Sequence, residues 1–173
     1  MFRKQRPLTG GEIELAREVF GSALEYSRVR LQRGGILSLY AGAVTIRNSI
    51  YVNVTCYEPD YAAPSVRLGL RALLMHELVH VWQYQNLRKY HWTRAGLEHV
   101  THFRRVYEYE LPARDLSENP IAHESAGAAF LDYRYEQQGR LVQDYYMLKK
   151  LGRDVTAYER VIGETLRTPR SFV

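Results

Sequence analysis

Residues 66–86, VRLGLRALLMHELVHVWQYQN, carry apolar side chains on nearly every side of a helical projection, with no proline to interrupt them. A helix that is apolar all round is a buried one. Upstream, Thr9 and Glu12 have the spacing of a capping box. Ile13, Ala16, Val19 and Phe20 follow as one helical face, and Gly21 is a stop signal, so a first helix is expected over 10–20. The pattern then changes period. SRVRLQ, ILSLY, AVTIRN and SIYVNV are short, β-branched or aromatic segments separated by Gly34-Gly35, Gly42 and Asn48-Ser49. They predict a small, mostly antiparallel sheet over 27–54.

Pro59 and Pro64 bracket a loop before the apolar helix, and residues 88–96 break the pattern after it. Residues 97–109 read as a further helix that Pro112 interrupts. Ser117-Glu118-Asn119-Pro120 has the form of a helix start and predicts a fourth helix running to about Gln138. Gly139 and Gly152 then act as punctuation, with helical stretches over 141–151 and 156–166. Helices dominate and one small sheet comes early, so the expected fold class is α+β, mainly helical, in one domain over 1–173.

Composition narrows the classes of function. Hydrophobic content of 46% and charged content of 25% are globular values. A net charge of +5 is spread along the chain in short clusters, which argues for a solvated surface and against nucleic-acid binding. A single cysteine, Cys56, excludes an internal disulfide and a cysteine-rich zinc site. The longest apolar-looking run, 36–46, is far short of the roughly 18 residues of a membrane span. The N-terminus MFRKQRPLTGGE lacks an apolar signal core, so synthesis in the cytoplasm without a signal peptide is expected. Export would need another route or a larger parent protein. The 14 tyrosines offer large contact areas with polar tips, suited to lining a groove.

The chemistry lies inside the apolar helix, where His76-Glu77-Leu78-Val79-His80 forms an HExxH pattern. Residues four apart on a helix share a face, one turn apart. Both rings can therefore turn a nitrogen onto one zinc ion, with Glu77 projecting beside it as the base for a water molecule. A shuffled chain of this composition shows the pattern roughly once or twice in a hundred, so chance alone is a poor account of it. Two histidines and a glutamate on a buried helix also need partners, because unpaired buried polar groups are costly. Zinc is the expected cofactor.

A catalytic zinc takes a third protein ligand. His91, His99, His102, His123 and the carboxylates are the candidates. Glu124 is the expected one, because Gly127 and Ala128 share its face on the expected fourth helix and would let that helix approach closely. His123 is the competing ligand. His99 and His102, spaced i, i+3, suit a half-exposed structural role better. Asp132 and Gln83 are candidates to hydrogen-bond a ligating histidine, and Tyr107, Tyr109 and His123 to stabilise an oxyanion.

The HExxH helix with Glu124 beyond it resembles the gluzincin class of zinc metallopeptidases. More narrowly, RPLTGGEIELAREVFG, NSIYV and LLMHELVHVWQYQ resemble bacterial Vgr-related or Rhs-associated metallopeptidase domains over about residues 6–133, most specifically in HELVHVWQ. Such domains accompany type VI and other contractile injection systems. The resemblance implies that His76, His80 and Glu124 hold zinc and that Glu77 is the base. It implies a polypeptide substrate, a secretion-apparatus, immunity or chaperone partner, and export through an injection system. The expected function is endopeptidase activity in a secreted effector, with a strand such as 50–54 pairing with extended substrate. The alternative is a zinc-stabilised docking module without catalysis. Retention of Glu77 favours the enzyme, since zinc binding alone does not require it.

Overall fold

A computed structural model describes residues 5–35, 42–87, 129–163 and 165–169 with their side chains, and the backbone of 109–111 and 122–124. Helix α1 (Gly10–Phe20) begins as its sequence dictates. The Thr9 hydroxyl accepts from the Glu12 N–H at 3.1 Å, and the Glu12 carboxylate accepts from the Thr9 N–H at 2.8 Å. Gly21 ends the helix with φ of 51°, a region where only glycine is unstrained.

Glu12 does more than cap. Its carboxylate is fully buried and accepts both guanidinium nitrogens of Arg6, at 2.7 and 2.8 Å, from the two-residue strand β1 (Arg6–Pro7). It also accepts the Tyr61 N–H at 2.9 Å, and Arg6 donates to the Glu58 carbonyl. A buried carboxylate is tolerable only when charge and lone pairs are matched in this way. The network ties the start of the chain to the 58–61 loop that leads towards the long helix.

Strands β2 (Arg30–Arg33), β3 (Ala43–Ile46) and β4 (Ser49–Val52) join β1 in a four-stranded sheet of order β1-β2-β4-β3. The sheet is mixed rather than uniformly antiparallel. β3 and β4 form a tight antiparallel hairpin, with Val44 opposite Tyr51, across Arg47-Asn48, where Arg47 takes a φ of 56°. That hairpin places β4 inside, parallel to β2 with Leu31 opposite Ile50. Among the described residues, strand β3 therefore lies at the sheet's margin. The expected strand ILSLY falls outside the described residues.

Helix α2 (Leu68–Asn86) is the buried helix the sequence announces, and it carries His76, Glu77 and His80. It packs on β3 on one side and on α3 (Tyr135–Lys150) on the other. Leu74, Met75, Leu78, Val79 and Trp82 are all within the core, and Trp82 meets Phe130 edge-on at 5.9 Å between ring centroids. A last helix, α4 (Thr156–Ile162), packs on α3.

The described parts of the expected fourth helix take other forms before Tyr135. Residues Ala122–Glu124 form a short strand β6 parallel to β5 (Tyr109–Leu111), and Phe130–Asp132 is a single 3-10 turn. The helix proper starts at Tyr135 and runs through Gly139, which the sequence suggested as a break. Asp132 closes the 3-10 turn by accepting the Ala129 N–H at 2.8 Å, so its carboxylate supports the backbone there. The stretch 97–108 lies outside the described residues.

Candidate metal centre

The one-turn spacing on α2 brings the Nε2 atoms of His76 and His80 to 3.2 Å from each other. Their rings stand edge to face, with centroids 5.0 Å apart. The third corner comes from α3. Glu136 Oε2 lies 3.3 Å from His76 Nε2, and Glu136 Oε1 lies 3.5 Å from His80 Nε2. All three residues are buried.

These distances suit a small cation. Bonds of about 2.0–2.1 Å directed to tetrahedral corners leave ligand atoms roughly 3.3 Å apart. The edges of 3.2, 3.3 and 3.5 Å match that spacing. Two imidazoles and a carboxylate are also the donor set of a catalytic zinc site with an open fourth position.

Gly139 supplies the room. It sits one turn beyond Glu136 on α3, directly against the His76 ring, and a Cβ there would lie 2.7 Å from Nε2. Glycine within a helix costs about 1 kcal/mol against alanine. Here it lets α3 approach close enough for Glu136 to reach the histidine pair.

The far ring nitrogens are also engaged. His80 Nδ1 lies 2.8 Å from Gln83 Oε1, and His76 Nδ1 lies 3.2 Å from Gln143 Oε1. Amide oxygens there call for hydrogen on Nδ1, which leaves the Nε2 lone pairs facing inward. Burial is the largest influence and disfavours a charged His80, but the Glu136 carboxylate, Glu77 and Gln83 together outweigh it and raise its pKa to about 9. The pocket therefore draws positive charge.

Glu77 lies beside this triangle without joining it. The Thr45 hydroxyl on β3 donates to Glu77 Oε2 at 2.6 Å, which fixes the carboxylate between the sheet and the histidines. Its other oxygen has no hydrogen-bond partner among the described residues.

His76 and His80 thus come together with Glu77 alongside, as the HExxH spacing suggests. Glu124 and His123 lie on β6, where only the backbone is described. His91, His99, His102 and Tyr107 fall outside the described residues, and Tyr109 lies on β5 with its side chain undescribed. Gln83 does meet a histidine, whereas Asp132 does not reach the site. Glu136, Gln143 and Thr45 at the site, and the packing role of Gly139, are not among the features the sequence marks out. One signal was present: Glu136 and Gly139 repeat the carboxylate-to-glycine spacing seen at Glu124 and Gly127.

No protein-family model matches the chain. It is 28% identical over 171 residues to the type VI secretion system spike protein VgrG2b of Pseudomonas aeruginosa, covering 96% of this chain and 15% of that protein. The chain therefore spans a small part of this relative's length. Its structure is similar to that of the effector domain of Pseudomonas aeruginosa VgrG2b, with a TM-score of 0.68 and 27% identity. That match covers 91% of this chain and 82% of the other. Sequence and fold together thus relate the chain to an effector domain of a type VI secretion spike protein.

Proposed function

We propose that this chain is a zinc-dependent hydrolase of peptide bonds that acts as an effector of a type VI secretion system. The observation that carries the catalytic reading is the His76–His80–Glu136 triangle with Glu77 held beside it. The effector role rests on the similarity to VgrG2b and its effector domain.

In this reading His76, His80 and Glu136 hold the zinc. The ion, when bound, polarises the scissile carbonyl and increases the acidity of a water molecule in the open position. The remaining work belongs to the protein. Glu77 takes the proton from the attacking water on its free carboxylate oxygen and passes it to the departing amine nitrogen. Thr45 holds the other oxygen by a hydrogen bond of 2.6 Å, which leaves the free one for the reacting water. Burial of the cluster strengthens each electrostatic interaction relative to bulk water.

Substrate placement differs from the sequence expectation for 50–54. Strand β4 is paired on both sides, with β2 and β3, so its backbone is already engaged. Strand β3 is the marginal strand, and Thr45 places it next to Glu77. An extended polypeptide would add to the outer edge of β3, where main-chain hydrogen bonds set its register.

The test is zinc-dependent cleavage of an unstructured protein. Zinc-loaded protein should cleave it, and a chelator should abolish cleavage. Glu77→Gln should retain zinc and lose about 10²–10⁴-fold in rate. Zinc binding without chelator-sensitive cleavage would replace this reading with the docking module.

A further inference from the structure

We infer that Gln83 and Gln138 form a hydrogen-bond relay that holds hydrogen on His80 Nδ1, so that Nε2 is the nitrogen left to meet a metal between Glu136 and His76. The inference deepens the zinc reading and rests on it.

Two backbone carbonyls, which can only accept, set the orientation of both amides. Gln138 Nε2 donates to the Tyr133 carbonyl at 2.8 Å, so its oxygen must face the other way. That oxygen accepts from Gln83 Nε2 at 2.9 Å. Gln83 Nε2 also donates to the Tyr135 carbonyl at 3.0 Å. Both hydrogens of the Gln83 amide are thereby used, and its orientation is set twice over. Its oxygen is left to meet His80 Nδ1 at 2.8 Å, and an oxygen there requires hydrogen on that nitrogen.

Flipping the Gln83 amide would set its NH₂ against His80 Nδ1 and its oxygen against two acceptor oxygens. Gln83 and Gln138 are both buried, so neither failed contact would be repaired by bulk water. The relay spans the α2–α3 interface, with Gln138 two positions from Glu136. The contact that brings Glu136 to the histidines therefore also sets the ring state that can receive a cation. His76 has a looser arrangement, since Gln143 is only partly buried.

Gln83 and Gln138 are positioning residues, and four proteins test the claim: the parent, Gln83→Leu, Gln83→Glu and Gln138→Leu. Competitive titration against a chelating dye gives zinc affinity, and circular dichroism checks folding. Gln83→Leu should lower affinity about 10–100-fold, the usual effect of removing a group that orients a metal-bound histidine. Gln83→Glu keeps an acceptor on Nδ1 but sets its second oxygen against the Tyr135 and Gln138 acceptors, so it should lower folded stability while retaining more zinc affinity than Gln83→Leu. Gln138→Leu leaves the Tyr135 carbonyl in place and should cost less than Gln83→Leu. In NMR spectra of zinc-loaded protein, a slowly exchanging His80 Nδ1–H should persist in the parent and Gln83→Glu, and disappear in Gln83→Leu.

A residue that merely fills space would tolerate leucine better than a buried glutamate. Parent-like affinity in Gln83→Leu with loss in Gln83→Glu would therefore overturn the relay while leaving the zinc reading intact. Failure of the parent itself to bind zinc would overturn both.

Discussion

Gly139 lies so close to His76 that a Cβ at this position would sit 2.7 Å from Nε2 and 2.8 Å from Cε1 of the ring. Two effects of Gly139→Ala oppose each other. The helix gains roughly 1 kcal/mol of intrinsic preference. The new methyl, however, meets a buried ring on one side and α3's own backbone on the other. We expect α3 to stay helical while His76 is displaced, lowering zinc affinity by tenfold or more, about 1.4 kcal/mol. Dye-competition titration with circular dichroism checks this. Unchanged zinc affinity would show that the approach of α3 to His76 is looser than the structure has it.

A second prediction concerns protons. Against the opposing effect of burial, Glu136 with Glu77 and Gln83 raises the His80 pKa from 6.5 to about 9, which favours a proton on His80 in metal-free protein at neutral pH. A raised folded-state pKa contributes stability that is fully present below about 6.5 and lost as pH rises through about 9. Chelator-treated protein should therefore lose thermal stability over that window. Zinc must displace the same proton, so zinc binding at pH 7.5 should release about one proton and tighten towards pH 9. Calorimetry in buffers of different ionisation enthalpy measures the release. Zero release would mean that His80 is already neutral in the metal-free protein.

The Arg6–Glu12 pair should matter for stability well beyond an ordinary surface ion pair. Glu12 is fully buried, and Arg6→Ala leaves its carboxylate without the guanidinium. Breaking a buried pair from one side costs about 3–5 kcal/mol. Arg6→Lys should recover only part of this, because a point ammonium cannot reproduce two parallel hydrogen bonds. Urea unfolding of the zinc-loaded proteins measures both. A loss below about 1 kcal/mol in Arg6→Ala would place the pair among the weak surface bridges.

Legibility in the sequence followed the range of the interactions. The Thr9–Glu12 box and the 68–86 helix are written in adjacent residues and survive intact in α1 and α2. The β3–β4 hairpin is expected from the break at Asn48-Ser49, one residue beyond the Arg47-Asn48 turn that the structure makes. The parallel pairing of β2 with β4 does not, because it depends on where the hairpin inserts. Glu136 was hardest to find. Its neighbourhood, YRYEQQGR, falls at the polar end of the expected fourth helix, yet Glu136, Gln138 and Gly139 are buried by α2, a contact no local periodicity records. Gly139 looked like a stop because glycine disfavours helices. The structure uses the missing side chain for close packing, where a conformational break was expected.

The site itself has one direct test, the anomalous diffraction of zinc-loaded crystals at the zinc edge. A single strong peak is expected about 2.0–2.2 Å from His76 Nε2, His80 Nε2 and a carboxylate oxygen of Glu136, with Glu77 outside bonding distance. In Glu136→Ala the peak should vanish or weaken sharply, and in Glu124→Ala it should remain. A peak bound by Glu124 or His123 in place of Glu136, or no peak between the two histidines, would contradict the account.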